Sequence, residues 1–187
     1  MNMLEKVIGL IPDKRTRNVA MAVGGMGALL AGSKVVALGM FGKGFKGLEE
    51  CWREAHPNFQ GGWKERWEES VLFYESTHTN PINRKLHVIG IPIIVGGAAG
   101  LLLFNPYRPL WFAAAGVFAG GWALNIAGHA MFEKNAPAFA DDPLSFLAGP
   151  VWDFQQLTGR GGKARTTPAA EPPTVDVVNV GGQTATA

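Results

Sequence analysis

The residues best suited to chemistry in this chain are histidines accompanied by asparagine and glutamate at helical spacing. His78 lies just before Asn80-Pro81, a pair typical of a helix start, with Asn80 as N-cap and Pro81 in the first turn. In that helix Asn83 and His87 are four residues apart, so their side chains share one face. We therefore expect a helix that carries an asparagine and a histidine close to its start.

A second polar stripe lies later in the chain, where Asn125, His129 and Glu133 are also spaced by four. Imidazole nitrogens together with a carboxylate suit Fe(II), Zn(II), Mn(II) or Cu(II). The single cysteine, Cys51, excludes a sulfur-rich structural zinc site. Three such ligands on iron would leave about three of six coordination positions open for substrate and oxygen, whereas four-coordinate zinc would hold a reactive water.

Two apolar segments, residues 88–104 and 110–132, position these polar residues. Each is close to the roughly 20 residues that a helix needs to cross a bilayer. The sequence Asn105-Pro-Tyr-Arg-Pro109 between them is typical of a turn. The pattern therefore predicts an antiparallel transmembrane hairpin, whose first span begins on the side where its second span ends. That topology brings four residues to one depth: His78, His87, His129 and Glu133.

Basic residues flank this end of the predicted hairpin. Arg84 and Lys85 precede the first span, and Lys134 follows the second. By the positive-inside rule, the histidines lie on the cytoplasmic side of the membrane. That membrane is a bacterial inner membrane, or the endoplasmic reticulum if the protein is eukaryotic.

The composition also favours a membrane protein. Of the 187 residues, 47% are hydrophobic, 10% aromatic and only 17% charged, which excludes a disordered chain. The net charge of +2 argues against a nucleic-acid partner and leaves the lipid bilayer as the expected one. We expect an all-α, polytopic membrane helical bundle. Its predicted parts are an N-terminal extension (1–62), a metal-site membrane domain (63–160) and a disordered C-terminal tail (161–187).

The N-terminal extension contains a Gly-rich apolar stretch, residues 18–42, interrupted by Ser33 and Lys34. A single crossing would place the basic start of the chain outside, against the positive-inside rule. A hairpin that turns near Ser33 would keep both ends inside, and charge alone leaves the two arrangements open. Small residues recur every four positions and suit contact with a second helix or, in a homo-oligomer, a second copy: Ala20, Gly24, Ala28 and Gly32.

Two further helices are predicted beside the hairpin. Trp63, Trp67 and Val71 share one face of a helix with charged residues around them. This helix lies either at the membrane interface, where tryptophan is favoured, or against the same domain. Later, Asp142-Pro143 predicts the start of a short helix that Pro150 would kink.

Two blocks of the sequence resemble the 2-hydroxy fatty acid dioxygenase family, a set of small polytopic membrane proteins. The blocks are Tyr74-Glu-Ser-Thr-His78-Thr-Asn-Pro-Ile-Asn83-Arg-Lys-Leu-His87-Val-Ile-Gly90 and Gly128-His129-Ala-Met-Phe-Glu133-Lys-Asn135-Ala-Pro137. The resemblance covers about residues 73–160, and the N-terminal extension has no counterpart in it. Many members carry a charged residue after the first histidine, where this chain has Thr79.

The resemblance implies an Fe(II)-dependent reaction with O2 that converts a 2-hydroxy fatty acid into the fatty acid one carbon shorter. In fungal members this alpha-oxidation follows phytosphingosine breakdown in the endoplasmic reticulum. No organic cofactor is needed, because the hydroxy acid supplies the electrons. The expected site residues are His78, His87 and His129 as metal ligands, Glu133 and Asn83 as catalytic residues, and Arg84, Lys85 and Asn125 as substrate contacts.

Several roles remain open at the level of sequence. Glu133 could instead pair with Lys134 or Arg84, or orient a histidine through a hydrogen bond. Asn83 could serve only as helix cap or helix–helix contact, and His56 is expected in a surface loop. Two other functions compete with the oxygenase. One is a non-enzymatic membrane protein in which the polar stripe joins helices, and the other is a zinc-dependent lipid hydrolase.

Overall fold

The computed structural model describes residues 3–135, 139 and 141–159. This part of the chain contains seven α-helices, one π-helical turn and no strand, which confirms the all-α prediction. The predicted disordered tail, 161–187, lies outside the described residues. The helices are α1 (Met3–Gly9), α2 (Lys14–Leu30), α3 (Lys34–Ala55), α4 (Trp63–Thr77), α5 (Pro81–Leu103), α6 (Pro109–Gly128) and α7 (Ser145–Leu157), and the π-helical turn His129–Glu133 continues α6.

Helices α5 and α6 form the predicted antiparallel hairpin. Asn80 caps α5, because its side-chain oxygen accepts hydrogen bonds from the backbone N–H groups of the first turn. Small residues bring the two backbones together: a Cβ added at Gly97 would lie 2.5 Å from the nitrogen of Phe118. Both helices are long and apolar enough to cross a membrane, by length and composition.

The Gly-rich stretch also forms a hairpin, made of α2 and α3. Gly32 lies in the turn with φ +76°, a backbone conformation that glycine adopts without strain. Gly25 and Gly44 lie at the contact between the two helices, since a Cβ on either would lie within 2.6 Å of backbone in the other helix. Of the two arrangements left open by charge, the structure has the hairpin. Its second helix, α3, continues to Ala55, well beyond the apolar stretch.

The two hairpins lie side by side with their turns together. The Tyr107 hydroxyl donates to the carbonyl of Ala31 (2.7 Å), and the Lys34 ammonium donates to the carbonyl of Phe104 (2.8 Å). Residues of α2 and α3 share one hydrophobic core with residues of α5 and α6. The open ends of both hairpins therefore lie at the opposite end of the molecule, where α4 and α7 pack.

Arg66 of α4 is fully buried and joins three elements at this open end. Its guanidinium makes two hydrogen bonds to the carboxylate of Asp142 (2.9 and 2.8 Å) and also donates to the carboxylate of Glu49 in α3 (2.9 to 3.2 Å). It also lies 3.6 Å from the ring centroid of Trp52. Such a bidentate pair fixes direction as well as distance. Asp142 precedes α7, so this network holds α7 in place over the histidines.

Candidate metal centre

Three histidines from three different elements meet at the open end of the α5–α6 hairpin. His78 ends α4, His87 lies in the second turn of α5, and His129 begins the π-helical turn. All three are buried, and their ring centroids lie 4.6 to 4.9 Å apart. One nitrogen from each lies within 4.8 Å of the others, so a single ion can contact all three.

The hydrogen bonds of the rings determine which nitrogen faces the centre. Each ring places its Nδ1 against an oxygen: His78 against the carbonyl of Tyr74 (2.9 Å), His87 against the carbonyl of Asn83 (3.0 Å), and His129 against the Oδ1 of Asn135 (2.8 Å). An amide oxygen only accepts, so Nδ1 carries the hydrogen and Nε2 carries the lone pair. Each ring therefore has its Nε2 lone pair free for a cation, and the three rings lie close enough together to share one.

The protonation state of His78 fits metal binding as well. Burial, together with the nearby His87, lowers the pKa of His78 to about 3. The ring is therefore neutral at physiological pH, which is the form that binds metals. A set of neutral imidazoles suits iron, zinc or copper better than calcium or magnesium, which prefer oxygen ligands. The residues present thus fit a transition-metal ion.

A cavity of about 260 Å³ extends from the three histidines along the seam between α5 and α6. Tyr74, Asn125 and Ser145 are its other polar lining residues. The rest of the wall is almost entirely apolar and includes Ile91, Ile94, Trp122, Ile126, Phe146 and Leu147. The arrangement could hold a metal ion at the end of a pocket that suits an apolar molecule.

Residues 65–161 match the family described as 2-hydroxy-palmitic acid dioxygenase Mpo1-like. This match covers more than half of the chain and includes the three histidines. The chain belongs to this family. No curated protein and no solved structure matches it.

Glu133, expected to be catalytic, lies beside the three histidines of this Mpo1-like chain and connects the segments that carry them. Its carboxylate accepts hydrogen bonds from the backbone N–H of Asn80 (2.7 Å) and the hydroxyl of Thr79 (3.3 Å). Among the described residues, the group of potential ligands within 4.8 Å contains the histidines and not Glu133. These contacts tie the end of the π-helical turn to the segment between His78 and α5.

The two asparagines of the predicted polar stripes lie at the contact between α5 and α6. Asn83 is fully buried with its amide against Gly128, and Asn125 is buried with its amide against Gly90. Within the described part of the chain, the amide of Asn83 and the Oδ1 of Asn125 have no hydrogen-bond partner. Only Asn125 lines the cavity, whereas Asn83 acts on the centre through its backbone carbonyl, which holds His87.

The two basic residues expected at the substrate are placed differently from each other. Arg84 lies with its guanidinium 4.1 Å from the ring centroid of Trp152, and its charge helps to lower the pKa of His78. Lys85 is exposed. In the described structure neither residue lines the cavity, although Arg84 is close enough to the histidines to attract an anionic group.

Asn135 is a residue of the site that the helical spacing did not indicate. Its Oδ1 accepts from His129, and its Nδ2 donates to the carbonyl of Thr77 (3.0 Å), which fixes the amide orientation. The π-helical turn and the left-handed conformation of Lys134 (φ 58°) bring Asn135 back beside His129. No spacing of residue types predicts a π-helical turn or a left-handed residue. The only indication of Asn135 in the sequence was its place in the second family block.

We expect Asn135→Ala to weaken metal binding about 10- to 100-fold, the usual cost of losing a partner that orients a metal-binding histidine. Asn135→Asp should bind at least as tightly as the wild type, because the carboxylate still accepts from His129. Competition with a chromophoric chelator measures both affinities. Equal affinity of wild type and Asn135→Ala would show that His129 needs no such support.

Tyr74 and Asp153 form a buried pair behind His78. The Tyr74 ring stacks on His78 at 3.9 Å between centroids, and its hydroxyl donates to Asp153 (2.9 Å). Burial raises the pKa of Asp153 to about 6, against the opposing effects of Tyr74 and Arg84. Asp153 therefore fixes the ring that packs on a predicted ligand, a contact between α4 and α7 that no local pattern indicated.

The raised pKa of Asp153 predicts a pH-dependent stability. A carboxyl group with a higher pKa in the folded chain binds more protons when folded, so it destabilises the fold increasingly as pH rises from 3.8 through about 6. We expect Asp153→Asn to gain thermal stability over the wild type as the pH is raised from about 4 to about 7. Asp141→Asn is the control, because Asp141 is half-exposed, and this variant should show no such trend. A stability difference that does not change with pH would contradict the assignment.

Proposed function

We propose that this protein is an Fe(II)-dependent membrane dioxygenase that converts a 2-hydroxy fatty acid into the fatty acid one carbon shorter. One observation carries the proposal: three buried histidines, each with Nε2 free to bind a metal, lie together at the end of an apolar cavity. Membership of a family named for 2-hydroxy-palmitic acid dioxygenases supports the substrate class. A purely structural role for the polar residues would explain neither the histidine lone pairs nor the cavity.

A membrane location is part of the proposal. Helices α5 and α6 have the length and hydropathy of membrane spans, and both present large apolar side chains on their outer faces. Examples are Ile89, Val95, Leu110, Phe112 and Val117. Arg84, Lys85 and Lys134 flank the histidine end, so we place that end on the cytoplasmic side.

The reaction balances without a further reductant. The hydroxy acid and O2 give the shorter acid, CO2 and water: the bond between the carboxyl carbon and C2 breaks, and C2 is oxidised to the new carboxyl group. The four electrons that reduce O2 come from the hydroxy acid. Iron, when bound, would supply the redox chemistry by which O2 reacts with the substrate.

The residues of the chain supply binding and orientation. His78, His87 and His129 would hold the iron through Nε2, and their Nδ1 partners keep the three rings in that orientation. The apolar wall accepts the acyl chain and excludes water. Arg84 lies where its charge would draw the substrate carboxylate towards the histidines.

The test is an assay of the Fe(II)-loaded protein with a 2-hydroxy long-chain acid labelled at its carboxyl carbon. We expect labelled CO2 and an acid one carbon shorter in the presence of O2, and no product under argon. Release of a fatty acid from an ester-linked lipid under argon by the zinc-loaded protein, with no labelled CO2 from the hydroxy acid, would favour a hydrolase instead. Absence of product under both gases, from protein shown to carry one metal ion per chain, would contradict the proposed function.

A further inference from the structure

The cavity leaves the metal centre in the direction of the proposed membrane interior. On α5 its wall runs from His87 to Val95, and on α6 it runs back from His129 to Trp122. At 1.5 Å per residue these stretches are about 12 Å and about 10 Å long. Both run from the open end of the hairpin towards its turn, so the long axis of the cavity follows the spans.

The cavity opens on the outer surface of the spans. Three of its apolar lining residues are at the same time well exposed: Val95 (57%), Ile126 (52%) and Leu147 (43%). Val95 lies near the middle of α5 and Ile126 near the end of α6. A mouth bordered by these residues faces the hydrocarbon of the bilayer when α5 and α6 span it.

Helix α7 continues the same apolar surface beside the mouth. Leu147, Val151 and Phe154 lie three or four residues apart and are 42 to 61% exposed. The opposite face of α7 is held in the protein by Trp152 and Asp153, which bond to α4. A helix with one face anchored and an apolar outer face is typical of the membrane interface.

The volume of the cavity limits how much of a long chain it can enclose. A cavity of about 150 Å³ is known to hold benzene, with its six carbons. On that scale 260 Å³ encloses about ten carbon atoms. A longer acid whose carboxyl end lies at the histidines must therefore extend beyond the wall.

We propose that the substrate lies half in the protein and half in the membrane. Its carboxyl end is at the histidines, and its methyl end passes between Val95, Ile126 and Leu147 into the bilayer. This inference rests on the proposed function and adds the route: the acid enters sideways from the lipid. The protein should then discriminate only weakly between acids longer than about ten carbons, because the additional carbons stay in hydrocarbon before and after binding.

Spin-labelled fatty acids test this arrangement in metal-loaded, full-length protein reconstituted in phosphatidylcholine vesicles. One probe carries the nitroxide close to the carboxyl group, and the other carries it near the methyl end. We expect an immobilised electron paramagnetic resonance spectrum for the first probe and a lipid-like mobile spectrum for the second. Immobilisation of both labels would show an enclosed chain and overturn this inference alone. Mobility of both would show that no acid binds and would overturn the proposed function as well.

Substitutions at the mouth give a second readout. Val95→Trp and Ile126→Trp should lower turnover of a long-chain 2-hydroxy acid about tenfold, while a chain short enough to be enclosed is affected much less. Ile89→Trp and Val117→Trp are matched controls, since these residues are exposed on the same helices but do not line the cavity. If the mouth variants and the control variants turn over the long acid equally, the tail does not pass this way.

Discussion

His87→Ala and His129→Ala should each reduce bound metal from near one ion per chain to near none, and turnover should fall to background. Each substitution removes one of the three proposed Nε2 ligands, and two imidazoles would hold a transition metal far more weakly than three. Elemental analysis of protein purified without chelators measures the metal, and the CO2 assay measures turnover. The same loss in both variants is expected because His87 and His129 belong to one centre.

The fourth histidine provides the control for this experiment. His56 is exposed, stacks on Trp52 at 4.1 Å, and lies outside the metal centre, so His56→Ala should keep both metal and activity. His87→Gln separates loss of metal from loss of fold, because the side chain stays polar and of similar volume. A His87→Gln protein that retains one metal ion per chain would show that His87 is no ligand.

Sequence patterns predicted that these histidines come together, because the main features of the cluster are local or follow from topology. Asn80-Pro81 determines where α5 begins, and the four-residue spacing places Asn83 and His87 on one face. An antiparallel hairpin then necessarily brings His87 and His129 to the same end. These steps require only helix geometry and the length of a membrane span, both of which are visible in the order of residues.

Features that depend on contacts between distant parts of the chain could not be predicted from local sequence patterns. Asn135 reaches His129 only because the chain makes a π-helical turn, for which the sequence has no simple signal. Arg66 looked like one charge among several on the polar side of α4, yet it is buried against Asp142, 76 residues later. A spacing rule identifies the face of a helix, whereas the partner of that face is determined by the whole fold.

Arg66→Met should destabilise the protein by about 3–5 kcal/mol, the usual cost of removing one partner from a buried ion pair. The substitution preserves much of the side-chain volume but leaves Asp142, only 2% exposed, without its guanidinium. Glu49 loses its hydrogen bonds from Arg66 as well. At about 2–4 °C per kcal/mol for a protein of this size, the midpoint of thermal unfolding should fall by roughly 10 °C. Scanning fluorimetry in detergent at one fixed heating rate measures this difference.

Arg53→Met is the matched control, because Arg53 pairs with the same Glu49 (3.1 Å) from a half-exposed position one helical turn away. Exposed pairs contribute about 0–1 kcal/mol, so this variant should unfold close to the wild type. Adding Asp142→Asn to Arg66→Met should restore part of the stability, since it removes the unpaired charge. If Arg66→Met unfolds together with Arg53→Met, the network does not hold the fold. A restored midpoint in the double variant would identify the unpaired carboxylate of Asp142 as the source of the lost stability. It would also show that the pair of Arg66 and Asp142 is the contact that keeps α7 over the histidines.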